Sequence, residues 1–112
     1  MIARLIAKYG QPFDFGRNRL VFANDRIVLK FPRNANGEAD NCWEGSCQGP
    51  TKCRGKRLVL DGFICVMQER VKRIYQDVEC PKYLPKWTDG IDCRQVGYDR
   101  QGALRAYDYG TR

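Results

Sequence analysis

Lys52, Arg54, Lys56 and Arg57 crowd into six consecutive positions, and no acidic residue occurs between Glu44 and Asp61. A run of this kind attracts nucleic-acid phosphates or an acidic protein face. Arg70, Lys72 and Arg73 extend it downstream, and the whole chain carries 20 Lys and Arg against 13 Asp and Glu, a formal charge of +7. The alternative is a solvated loop kept soluble by its charge. Covalent chemistry finds less support. The chain has no histidine, so Ser-His and Cys-His nucleophile pairs are excluded. Asp89, Asp92, Asp99 and Asp108 are too scattered to predict a carboxylate-held metal hydrolase. The six cysteines include no C-x-x-C pair. A zinc site would therefore rest on the loose set Cys42, Cys47 and Cys53, and scattered reduced thiols are the favoured expectation, with Cys65 acting as a small buried hydrophobe.

The elements that must position these residues follow from periodicity. Ile2, Leu5, Ile6 and Tyr9 share one helical face, and Gly10 can end that helix. Arg19 to Ala23 and Arg26 to Phe31 read as a hairpin around Asn24-Asp25, closed by Pro32. Glu38 to Gly45 is expected to be a short helix, with Asn36 as its cap. Arg57 to Leu60 and Phe63 to Gln68 flank Asp61-Gly62, a strong hairpin signal. Glu69 to Val78 places Val71, Ile74, Tyr75 and Val78 at helical spacing. Arg94 to Tyr98 and Ala103 to Tyr109 give a third hairpin. The sum is one α+β domain over residues 1–112, with about six short, mostly antiparallel strands and two or three short helices. No apolar run reaches the roughly 20 residues of a membrane span. Arg4 and Lys8 interrupt the first apolar stretch, against a secretory signal, so a cytoplasmic protein without membrane contact is expected.

Several of these pieces resemble the N-terminal lobe of the protein-kinase superfamily. Ile27-Val28-Leu29-Lys30 is similar to the strand whose lysine faces the nucleotide, and Glu44, fourteen residues on, resembles the glutamate that pairs with it. Val66 to Val71 looks like the hinge-side strand. Gln95 to Gly110, ending Ala106-Tyr107-Asp108-Tyr109-Gly110, is similar to the closing hairpin with its metal-binding D-F-G. The compact pattern also resembles small phage-encoded accessory proteins.

The resemblance implies a kinase-like scaffold with much of its chemistry missing. Phosphoryl transfer needs a glycine loop over the phosphates, a lysine clamp, metals held by Asp and Asn, and a catalytic Asp. Only Gly10 and Gly16 stand where the glycine loop would be, no His-Arg-Asp exists, and Gln95 replaces the metal-binding Asn. The chain ends two residues after Gly110, so no helical lobe is expected. The leading expectation is therefore a non-catalytic protein-binding module, a phage accessory protein that docks on a host enzyme or complex and inhibits it. No cofactor is expected. Trp43, Tyr83, Trp87, Tyr107 and Tyr109 are of the type that dominates interface hot spots, although core packing is expected to claim Trp43 and Tyr107. A second reading is nucleic-acid binding through Lys52, Arg54, Lys56 and Arg57, assisted by Arg70, Lys72 and Arg73. A third is residual nucleotide binding by Lys30, Glu44, Gln95 and Asp108. Against that third reading stands a plainer one: Lys30 and Glu44 form a partly exposed structural ion pair, and Asp108 caps a turn.

Overall fold

Near-continuous apolar runs, Leu20–Ala23, Ile27–Leu29 and Phe63–Met67, build the central strands of the sheet that organises this molecule. The computed structural model describes residues 1–12, 14–46, 49, 51–73, 85–87 and 95–107. Five strands, β1 (Asp14–Phe15), β2 (Arg19–Ala23), β3 (Ile27–Pro32), β4 (Gly55–Leu60) and β5 (Phe63–Glu69), form an antiparallel sheet in the order β1-β2-β3-β5-β4. Helix α1 (Ile2–Tyr9) lies on one face and α2 (Ala35–Ser46) on the other. A smaller antiparallel sheet joins β6 (Lys72–Arg73), β7 (Val96–Tyr98) and β8 (Leu104–Ala106). The α+β expectation therefore holds. The described residues contain eight strands rather than about six, because two of them are only two residues long.

Register fixes which side chains share a face. Phe22 lies opposite Leu29, Leu20 opposite Phe31, Leu29 opposite Met67, and Leu58 opposite Cys65. These residues form the apolar core with Leu5 of α1, while Met1, Ile6 and Tyr9 pack around it. Each fully buried Leu or Phe contributes about 1.5–3 kcal/mol through removal from water. The other face carries Val21, Val28 and Val66 together with Arg19, Lys30 and Gln68, all buried. A polar face packed under a helix is unusual, and the candidate site lies there.

The hairpin between β4 and β5 turns on Asp61 (φ 53°) and Gly62 (φ 82°), the pair of positive φ values that a tight two-residue hairpin turn requires. The first hairpin turns one residue later than expected. Asn24 N–H bonds the Ile27 carbonyl at 3.1 Å, and the Asn24 side chain accepts from the N–H groups of Arg26 and Ile27, both at 2.9 Å. The cap of α2 also differs from expectation. Asn34, not Asn36, accepts the Gly37 N–H at 2.9 Å, so the helix begins three residues earlier, at Ala35.

The helix expected over Glu69 to Val78 does not form in its described part. Glu69 N–H bonds the Arg54 carbonyl at 2.8 Å and Arg70 N–H the Arg26 carbonyl at 2.9 Å, which holds the chain extended into β6. Long-range ladder bonds override a helical spacing that rested on few residues. Residues 74–78 lie outside the described set.

Candidate functional site

Strand β3 presents Lys30 to the face covered by α2, and Glu44 of that helix meets it. The Lys30 ammonium lies 2.6 Å from Glu44 Oε1, with Lys30 4% and Glu44 0% exposed. Arg19 of β2 donates to the second carboxylate oxygen of Glu44 and, at 3.1 Å, to Asn41 Oδ1. Asn41 Nδ2 in turn donates to the carbonyls of Ile64, at 2.9 Å, and Lys30, at 3.3 Å. Glu38 accepts the Ile64 N–H at 3.0 Å. Side chains of α2 thus satisfy the β5 backbone at Ile64, beyond the last β3–β5 pair, Lys30–Val66. The pair is buried and shared with Arg19, not partly exposed as expected.

Lys30 Nζ also donates to the Tyr107 carbonyl, and Gln68 Nε2 donates to the same oxygen at 2.9 Å. Cys53 N–H bonds the Ala106 carbonyl at 2.8 Å, and Ala106 N–H the Thr51 carbonyl at 2.7 Å. These bonds tie the β7–β8 hairpin to the larger sheet just before residue 108. Asp108 itself lies outside the described residues. Gln95 is near the group: its backbone carbonyl accepts the Tyr107 N–H at 3.1 Å. The side-chain oxygens of Gln95 and Gln68 are buried without a hydrogen-bond partner among the described residues.

Of the four nucleotide-site candidates, the structure brings Lys30, Glu44 and the Gln95 backbone to one region. Arg19, Asn41 and Gln68 belong there too, and sequence reasoning missed them. Their signal was a polar side chain set inside an otherwise apolar strand, in Arg19 and Gln68.

Cysteine chemistry is suppressed in this region. Burial pushes the Cys53 thiol up from 9.0 to about 12, opposed by the nearby charge of Lys30. Burial likewise raises Cys65 to about 11. Neither is a thiolate at neutral pH. Among the described residues no group of three or more His, Cys, Asp or Glu is placed to hold a metal ion. Cys47 of the loose zinc set lies outside them.

The basic residues divide. Arg54 is exposed, yet it reaches Glu69 at 3.3 Å and Gln101 at 3.0 Å. Lys52 is half-buried and bridges to Ala106. Lys56 lies opposite Met67 and Arg57 opposite Val66, so successive β4 residues send these two cations to opposite faces. Arg57 Nη1 contacts Cys42 Sγ at 2.9 Å. Arg70 and Lys72 line an open cleft of about 320 Å³ with Tyr98 and Arg100. Only the backbone of Arg73 is described, paired with Gly97. Trp87 packs half-buried against Val96 and Ala106. Trp43, expected in the core, is 47% exposed on α2, because that helix turns Gly37, Asp40, Asn41 and Glu44 toward the sheet instead.

Asp99 closes the β7–β8 hairpin. Its carboxylate accepts the N–H groups of Ala103 and Gln101, both at 2.9 Å, and Arg105 Nε at 3.1 Å. The Ala103 hydrogen bond, then Arg105 and Gln101, hold its pKa below the ordinary 3.8 against the opposing effect of burial. A depressed carboxylate stabilises the native state above the unfolded value and ceases to do so as pH falls through the folded value. The hairpin is therefore expected to hold down to pH 3.8 and to loosen below it. Carboxyl-carbon NMR should show Asp99 titrating below the ordinary 3.8. Titration of Asp99 at or above 3.8 would refute this.

A scan against protein-family models, a search of curated proteins and a search of solved structures each found no match. Among the described residues, no helix is long and apolar enough to cross a membrane.

Proposed function

We propose that this chain is a non-catalytic protein-binding module, a kinase-N-lobe-like scaffold of the phage accessory type that docks on a host enzyme or complex and inhibits it. The observation that carries the reading is the state of Lys30. A phosphotransferase must turn its lysine toward a phosphate. Here the ammonium is 4% exposed and donates to the Tyr107 carbonyl as well as to Glu44; the burial and the backbone contact, not the Glu44 pairing that a working kinase site also has, support the reading. The order of elements supports the scaffold part of the proposal. The helix bearing the glutamate falls between β3 and β4, and its carboxylate reaches the β3 lysine. Arg19 adds a second cation to the same carboxylate, which suits a structural core more than a site that binds and releases a nucleotide.

Two measurements test this. Calorimetry with ATP and magnesium should give no binding heat; a saturable heat at millimolar nucleotide would overturn the non-catalytic reading. Affinity purification from bacterial lysate should retain one stoichiometric partner, and blanks across several lysates would count against a binding module. The nucleic-acid reading has less support, since β4 places Lys56 and Arg57 on opposite sides of the sheet.

A further inference from the structure

Strand β4 is the outer strand of the five-stranded sheet. Its ladder with β5 shows which backbone groups remain available. Glu69 N–H bonds the Arg54 carbonyl, and antiparallel ladders alternate bonded and non-bonded pairs. The bonded pairs are therefore Lys56–Met67, Leu58–Cys65 and Leu60–Phe63. The opposite edge of β5 agrees, for Arg70 N–H turns the other way, to Arg26. It follows that the N–H and C=O groups of Arg57 and Val59 point away from β5, along an edge that no described strand pairs, with Gly45 of α2 packed close over the Arg57 backbone. Beside them stand an exposed Lys56 and an exposed Arg57, neither with a carboxylate in ion-pair range among the described residues, Arg57 also donating to Cys42 Sγ of α2 at 2.9 Å. Val59 is 64% and Phe63 44% exposed.

We infer that the β4 edge receives an acidic, extended peptide segment of a partner protein, which adds to the sheet as a further strand. The inference rests on the protein-binding reading and names the partner chemistry and the surface. The charge pattern selects this occupant. Lys56 and Arg57 project from opposite faces of the edge, which divides them as a patch for a duplex. A strand alternates its own side chains in the same way, so carboxylates on either face of an incoming strand meet a cation. A second copy of this chain is disfavoured, because its own β4 would set like charges against these. Main-chain bonds to Arg57 and Val59 would supply affinity, with Val59 and Phe63 offering apolar footing.

The experiment is a fluorescence-anisotropy titration at low salt with four labelled probes: a short glutamate–valine peptide of repeat Glu-Glu-Val-Val, which sets carboxylates on both faces of a strand, its lysine–valine counterpart, a glutamate–proline peptide of equal charge, and a single-stranded RNA. The glutamate–valine peptide should bind. The glutamate–proline peptide, unable to complete the ladder, should bind at least about tenfold more weakly, a loss of about 1.4 kcal/mol. Val59→Pro removes an outward N–H that no bond among the described residues uses, so the variant should fold, as checked by its thermal melt, and lose binding to the same degree. Lys56→Glu with Arg57→Glu should reverse the preference toward the lysine–valine peptide. Equal binding of both acidic peptides, tighter binding of RNA, or dimerisation of the free protein in sedimentation would overturn the inference. So would a lysate partner retained equally by wild type and Val59→Pro, an outcome that leaves the binding-module reading standing. Loss of that partner from Val59→Pro alone would support the edge.

Discussion

Glu44→Ala should lower the stability of the chain at neutral pH by about 3–5 kcal/mol, with urea denaturation as the measure. Glu44 is 0% exposed and holds both Lys30 and Arg19, themselves 4% and 7% exposed. Removing it leaves two buried cations without their shared carboxylate. Breaking a buried pair in this way costs about 3–5 kcal/mol, against a total stability of about 5–15 kcal/mol for a domain. Volume and charge can be separated. Glu44→Gln keeps the shape and one acceptor oxygen, so most of its cost reports charge alone. Replacing the whole group, with Arg19→Met, Lys30→Met and Glu44→Leu together, should recover much of the loss, because no uncompensated charge stays behind. A Glu44→Ala variant within about 1 kcal/mol of wild type would be the cost of an exposed pair. That result would mean the site opens to water in solution, and the case for a non-catalytic Lys30 would weaken with it.

What the sequence made legible, and what it hid, divides along the same physical line. The β4–β5 hairpin could be read because its turn depends on two adjacent residues, Asp61 and Gly62, whose positive φ values are a local matter. Helix α1 was equally readable, since Leu5 and Ile6 turn toward an apolar core and leave a clean periodicity. Helix α2 hides its buried face. The residues it turns to the sheet are Gly37, Asp40, Asn41 and Glu44, none of which registers as hydrophobic. Its start was placed late because Asn34 and Asn36 are equally good caps by type, and only the neighbouring chain decides between them.

The site was half visible for a related reason. Lys30 and Glu44 stood out through resemblance to a known pairing. Arg19 and Gln68 join them only because β2 and β5 flank β3 in the folded sheet. The helix expected over Glu69 to Val78 shows the same limit in its described part, residues 69–73: bonds to Arg26 and Arg54, more than 10 residues away in sequence, decide the backbone there.

Gly37→Ala provides the second large expected effect, and its sign runs against local preference. Ala is favoured over Gly in a helix interior by about 1 kcal/mol, so the substitution would stabilise an isolated α2. In the protein, a Cβ at this position would overlap the Asn18 carbonyl oxygen and stand 3.1 Å from its carbon and 3.2 Å from Pro32 Cα. All three are backbone atoms, so no side-chain rotation relieves the contact. The carbonyl is also fixed, since it accepts the Arg33 N–H at 2.7 Å, while Asn34 Nδ2 bonds the Asn18 side chain at 3.2 Å. The helix must therefore move off the β2–β3 end, and Asn41 and Glu44 move with it, away from Arg19 and Lys30. Overpacking costs about 1–3 kcal/mol and occasionally more; disturbance of the buried ion group puts this case at the upper end, enough to outweigh the helical gain. Asn36→Ala is the control. Asn36 is exposed one residue earlier in the same helix, and its change should be neutral or slightly stabilising. Thermal melts of the two variants should shift in opposite directions or leave only Gly37→Ala lowered. A raised melting temperature for Gly37→Ala would show that α2 does not sit as tightly on the Asn18 backbone as the geometry requires.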